Sequence, residues 1–191
     1  MGQRLVITVQ KNEKELAKIY YHWSAYTTSA LYEARDLINH LKDDYKSERD
    51  LQLDLIRFVE GRGGCIDGGA ESKEGLAIQE IFPNEDFSVT GSRNQGLIAI
   101  TEDGMEDIQG WSEGDLIIDL TEKEIQNAVL IFFISVDELN ECMEENYKLE
   151  DLKVLQYDPE HFSFDSIDNV IKEINETYIG RTKDGVYLFT C

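Results

Sequence analysis

The residues of this 191-residue chain best equipped for chemistry fall in two places. The first is YYHWSAYTTSA, Tyr20 to Ala30, where four aromatic rings, one histidine and four hydroxyl side chains share eleven positions. Imidazole changes its charge near neutral pH, so His22 has the chemistry of a general base. Paired with the thiol of Cys65 it would supply the base and nucleophile of a small hydrolase, and Arg62, three residues earlier, would favour the thiolate. His40 and His161 are the other bases available, and Tyr26 would join His22 and Cys65 around such a pocket. No local nucleophile signature surrounds Cys65, so a resting thiol is the default reading. The structural alternative for YYHWSAY is a junction: aromatics packing where a strand becomes a helix, with hydroxyls bonding the free amides of the first helical turn.

The second place carries no motif, only charge. Eighteen basic and 39 acidic residues give the chain a net charge of −21. Residues 102–151 hold 16 of the acids and two of the bases, Lys123 and Lys148, so two thirds of the excess lies in about a quarter of the chain. Glu102, Asp103, Glu106, Asp107, Glu113 and Asp115 belong to strands and turns in this reading. Asp137, Glu138, Glu141, Glu144 and Glu145 recur at helical steps and predict a negative stripe on a helix. Such a field repels nucleic acid and anionic membranes and attracts basic partners.

Other chemistries find less support. GRGGCIDGG, Gly61 to Gly69, could bring backbone amides to a phosphate, but it matches neither GxxxxGK[ST] nor a dinucleotide fingerprint and reads as a flexible loop between helices. There is no DxDxDG loop, HExxH or spaced histidine pair, so neither a metal nor another cofactor is expected. Cys65, Cys142 and Cys191 are too few and too scattered for a disulfide framework or a zinc site.

Hydrophobic periodicity supplies the elements that must position these groups. Arg4–Gln10 and Leu16–Trp23 alternate as two strands of a hairpin, with Ile19, Tyr21 and Trp23 on one face and Lys18, Tyr20 and His22 on the other. Helices follow from Thr27 and from about Asp50, and SKEGLAIQEIF is a weaker one. LIAIT, MEDIQGW, LIIDL and IQNAVLIFFISV read as a four-strand meander, punctuated by EDG, SEGD and TEKE. A helix over DELNECMEENYK, a strand KVLQY, a helix in FDSIDNVIKEINE and a hairpin turning at Asp184 and Gly185 complete the chain. The expected fold is a single α+β domain over residues 1–191, with helices packed on a central antiparallel sheet built from hairpins and a meander.

The longest apolar run, Ala128–Ile134, is far short of the roughly 20 residues of a membrane span. The N-terminus lacks the order of a secretion signal, which points to the cytoplasm. MGQRLVITVQ, YYHWSAYTTSAL and RNQGLIAITEDGMEDIQGWSEGDLIIDL together resemble small acidic proteins carried by phages and mobile elements of Gram-positive bacteria. That resemblance implies a context, antagonism of a host defence system, and no catalytic motif. The function expected is an acidic inhibitor of the anti-CRISPR kind that occupies the basic nucleic-acid-binding surface of a host protein such as a nuclease, without binding nucleic acid itself.

Overall fold

The computed structural model describes residues 4–25, 27–67, 71–87, 91–126, 153–156, 161–175, 178–182 and 185–190. Two strands begin it, β1 (Leu5–Lys11) and β2 (Lys14–Tyr21), paired antiparallel in register Leu5 to Tyr21. Asn12 and Glu13 between them both have positive φ, 51° and 62°, the backbone twist that two-residue hairpin turns require. Helices α1 (Thr27–His40) and α2 (Glu48–Gly61) follow, as the periodicity predicts. Ser47 caps α2, its hydroxyl accepting from the Asp50 amide at 3.1 Å.

The glycine-rich stretch is not a loop throughout. Its centre is a short strand, β3 (Cys65–Ile66), lying parallel to β4 (Leu97–Ala99). Glycine serves close backbone contact here: a Cβ on Gly64 would stand 2.5 Å from the Gly96 carbonyl oxygen and 2.6 Å from Val59 Cγ1. Helix α3 (Lys73–Ile81) joins the two strands.

The expected meander is replaced at its second member. MEDIQGW is not a strand: α4 (Glu102–Gln109) occupies the segment, and the EDG triplet lies inside its first turns. Thr101 is the N-cap, its hydroxyl accepting from the Gly104 amide at 3.1 Å, and Glu102 and Asp103 carry the negative charge favoured at that end. Capping chemistry thus prevails over the turn reading, and it buries Gly104, Met105 and Ile108 together.

With α4 as a crossover, β5 (Gly114–Asp119) returns parallel to β1 rather than antiparallel to β4. Strands β6 (Glu124–Gln126) and β8 (His161–Ser163) extend that edge antiparallel. The outcome is a mixed seven-stranded sheet, ordered β3-β4-β2-β1-β5-β6-β8. A second, three-stranded sheet takes β7 (Lys153–Gln156), β9 (Tyr178–Thr182) and β10 (Gly185–Thr190), the last two forming the expected hairpin. Helix α5 (Ile167–Asn175) lies between β8 and that hairpin in the chain. The helix expected over DELNECMEENYK lies outside the described residues.

Both faces of the large sheet are covered. Leu5, Ile7, Val9, Ile19 and Tyr21 meet Leu31 and Leu37 of α1, Leu55, Ile56 and Val59 of α2, and Ile171 of α5 in the main core. Val6, Tyr20, Leu97 and Ala99 face the other way and pack on Met105 and Ile108 of α4, with Cys65 and Trp111 at the margin. Burial on both sides explains why β1 is buried at five successive positions, Leu5 to Val9, four of them apolar, instead of alternating between buried and exposed.

Candidate functional site

Helix α4 presents Glu102, Asp103, Glu106 and Asp107, all exposed, on the side away from Met105 and Ile108. Beside it runs an open groove of about 720 Å³, bounded by the β1–β2 turn, the outer part of β2, the first turn of α2 and one flank of α4. Lys18 is buried there, 6% exposed, on the sheet face that α4 covers. Its ammonium donates to Gln109 Oε1 at 2.8 Å and pairs with Glu15 at 3.1 Å. Lys14 pairs with Glu48 at the rim, and Arg49 donates to Gln52 Oε1 at 2.9 Å.

Glu13, Glu102 and Glu106 also line the groove and have no ion-pair partner among the described residues. The five carboxylates of the lining outnumber its three cations, and two of those cations are matched by Glu15 and Glu48. The surplus is therefore negative and unpaired, and the chemistry it offers is accommodation of a cationic group.

Glu102, Asp103, Glu106, Asp107, Glu113 and Asp115, the described carboxylates expected to meet a partner, do not act alike. Asp103 is ion-paired with Lys73 of α3, and that hydrogen bond holds its carboxyl below the usual range. Glu113 accepts from the Arg4 amide at 3.1 Å and from its guanidinium at 2.8 Å, which lowers its pKa likewise. Asp115 accepts from Gln109 at 2.7 Å and Ser112 at 2.8 Å, tying the end of α4 to β5. Glu102, Glu106 and Asp107 stay unpaired among the described residues. Asp137, Glu138, Glu141, Glu144 and Glu145 lie outside them. Sequence reading missed Glu13, Glu15, Glu48 and Lys18, because only the crossover of α4 onto β2 brings residues about ninety positions apart to one groove.

No family model, no curated protein and no solved structure matches this chain. Its chemistry is read from its own side chains.

At the other end of β2 the structure divides YYHWSAY between the two faces. Tyr21 is fully buried in the main core, beneath the ion pair of Glu33 and Arg62 at 2.8 Å. Burial pushes the Glu33 carboxyl up, and the Arg62 guanidinium opposes it. Ser24 donates to Glu33 at 3.4 Å, so one of the four hydroxyls bonds a side chain of α1. Tyr20 faces the opposite layer, where its hydroxyl lies 2.7 Å from His22 Nδ1. Trp23, expected on the same strand face as Tyr21, does not share its burial and is 50% exposed, because regular strand pairing stops at Tyr21. Tyr26 lies outside the described residues.

Cys65 does not meet a base among the described residues. It sits on β3, two strands across from Tyr20, about 10 Å away at the usual strand spacing. His22 bonds Tyr20, His40 lies 3.2 Å from Asp54, and His161 is on β8 near Glu124. Burial pushes the Cys65 thiol up, aided by Asp67, whereas a nucleophile needs the reverse. Arg62, expected to activate it, is committed to Glu33. Among the described residues no group of three His, Cys, Asp or Glu side chains has metal-site geometry, and no helix is long and apolar enough to cross a membrane.

Proposed function

We propose that this protein is an acidic interaction protein whose α4 face and adjoining groove receive a basic segment of a partner. The carrying observation is the trio Glu13, Glu102 and Glu106: carboxylates from distant parts of the sequence that converge on one groove without ion-pair partners among the described residues. Ordered carboxylates substitute for phosphates on a surface that binds nucleic acid, displacing counterions as nucleic acid does. Inhibition of a host defence nuclease, in the manner of an anti-CRISPR protein, is the instance that the net charge of −21 and the resemblance to phage-borne proteins favour.

The experiment is binding to a purified RNA-guided nuclease across a salt series, with an arginine-rich peptide as a second probe. Affinity falls as salt rises, and the double variant Glu102→Lys/Glu106→Lys weakens it by about tenfold or more through like-charge repulsion. Affinity that is flat across the series, or indifferent to the double variant, overturns the reading.

A further inference from the structure

We propose a second binding site, at the end of β2, for a mononucleotide or a closely similar planar anion, held by Trp23, His22 and Arg93 beside Trp111. Four rings run in a chain here. Trp111 meets Tyr20 edge to face with centroids 5.5 Å apart, Tyr20 bonds His22, and His22 stands perpendicular to Trp23 at 4.6 Å. Edge contacts fix the inner rings and leave half of Trp23 open, a large apolar plane that a core would have absorbed. An exposed indole in a fixed setting is a stacking platform, and every nucleobase has a face that suits one.

Two polar groups lie beside the platform. The buried Tyr20 hydroxyl and His22 Nδ1 engage one another at 2.7 Å, which leaves Nε2 as the ring nitrogen that Tyr20 does not engage. Arg93 carries its guanidinium 5.6 Å above the Trp111 ring, and its backbone oxygen accepts from the His22 amide at 3.3 Å. One residue therefore anchors His22 and sets a cation beside the rings. Arg93 is exposed and has no carboxylate partner among the described residues, a state it shares with Arg49, which donates to Gln52 in the acidic groove, whereas Arg4, Arg35, Arg57 and Arg62 are all ion-paired. In a chain with 39 acidic residues, an unmatched guanidinium is the group left over for an anion.

Size follows from the charge of the whole. A field of −21 opposes a polyanion, while one phosphate beside Arg93 lies within the distance over which a local cation acts unscreened. A single nucleotide satisfies the plane, the guanidinium and the field together, and a nucleic acid strand does not. This site is separate from the acidic groove, and neither proposal depends on the other.

The test is titration of the full chain with adenosine 5′-monophosphate, followed by calorimetry and by tryptophan fluorescence, since Trp23 and Trp111 are the two tryptophans of the sequence. Adenosine and inorganic phosphate run in parallel. Saturable binding of the monophosphate is expected, weaker binding of adenosine and none of phosphate alone. Trp23→Ala and Arg93→Ala, both at exposed positions, each weaken calorimetric binding by about tenfold or more. No saturable response to adenosine, guanosine or uridine monophosphate in the millimolar range overturns the proposal. So does binding that both variants leave unchanged, or phosphate binding as tight as that of the nucleotide.

Discussion

Gly104 of α4 stands against the buried carboxylate of Glu74 from α3: a Cβ on Gly104 would lie 2.7 Å from Glu74 Cδ and 3.1 Å from Ala99 Cβ. Glu74 uses that closeness to satisfy the approach to the helix. Its Oε1 accepts from the Ile100 amide at 2.7 Å and the Thr101 amide at 3.1 Å, and its Oε2 accepts from the Thr101 hydroxyl. The same hydroxyl accepts from Gly104, so α3 and the cap of α4 form one polar joint beneath the acidic face.

The sign of Gly104→Ala follows from this joint. In an exposed helix interior, alanine for glycine stabilises by about 1 kcal/mol. Here the added methyl must displace Glu74 and break donors out of the cap, so the variant is expected to be less stable by about 1–3 kcal/mol. Denaturant unfolding of the two proteins measures the difference, and a stabilised variant would contradict the packing described.

Asp119 sets the acid limit of the β5–β6 corner. Burial works against its charge, but Gln10 at 2.8 Å and the amides of Thr121 at 2.8 Å and Glu122 at 3.2 Å hold its pKa below the ordinary value. A depressed folded-state pKa contributes stability that is fully present above the unfolded value, about 3.9, and is lost as pH falls through the folded value. Asp119→Asn is therefore expected to cost about 1–3 kcal/mol at pH 7, with the gap to wild type closing below about pH 3. Unfolding curves at neutral and acid pH read this directly, and a gap that stays constant would show that the charge plays no part.

Cys65 is expected to alkylate more slowly than a peptide thiol. It is 8% exposed, and both burial and Asp67 disfavour its thiolate. Iodoacetamide labelling near neutral pH, resolved by peptide mass, gives the rate. Labelling faster than the peptide would revive the hydrolase alternative with His22.

Much of the architecture was legible in local pattern. The β1–β2 hairpin, the helices α1, α2 and α3, and the C-terminal hairpin follow from periodicity and turn chemistry within windows of about a dozen residues. The segment TEDGMEDIQGW was not legible in the same way, because EDG is both a plausible turn and a plausible first helical turn. The choice between them depends on Glu74, which satisfies Thr101 from a distant helix. Misreading it as a strand turned a parallel β1–β5 pairing into an antiparallel meander.

For the site, the sequence alone determined the sign and concentration of charge: −21 overall, with acids crowded into residues 102–151. Composition carries that information because charge adds along the chain whatever its shape. Tertiary structure decided which carboxylates remain available. It spent Asp103 on Lys73 and Glu113 on Arg4, locked Asp115 beside Gln109, and brought Glu13 to Glu102 and Glu106 across a groove. It also split YYHWSAY, sending Tyr21 inward and Trp23 out to solvent. Pairing and exposure depend on distances between residues remote in sequence, and only the crossover of α4 onto the sheet sets those distances.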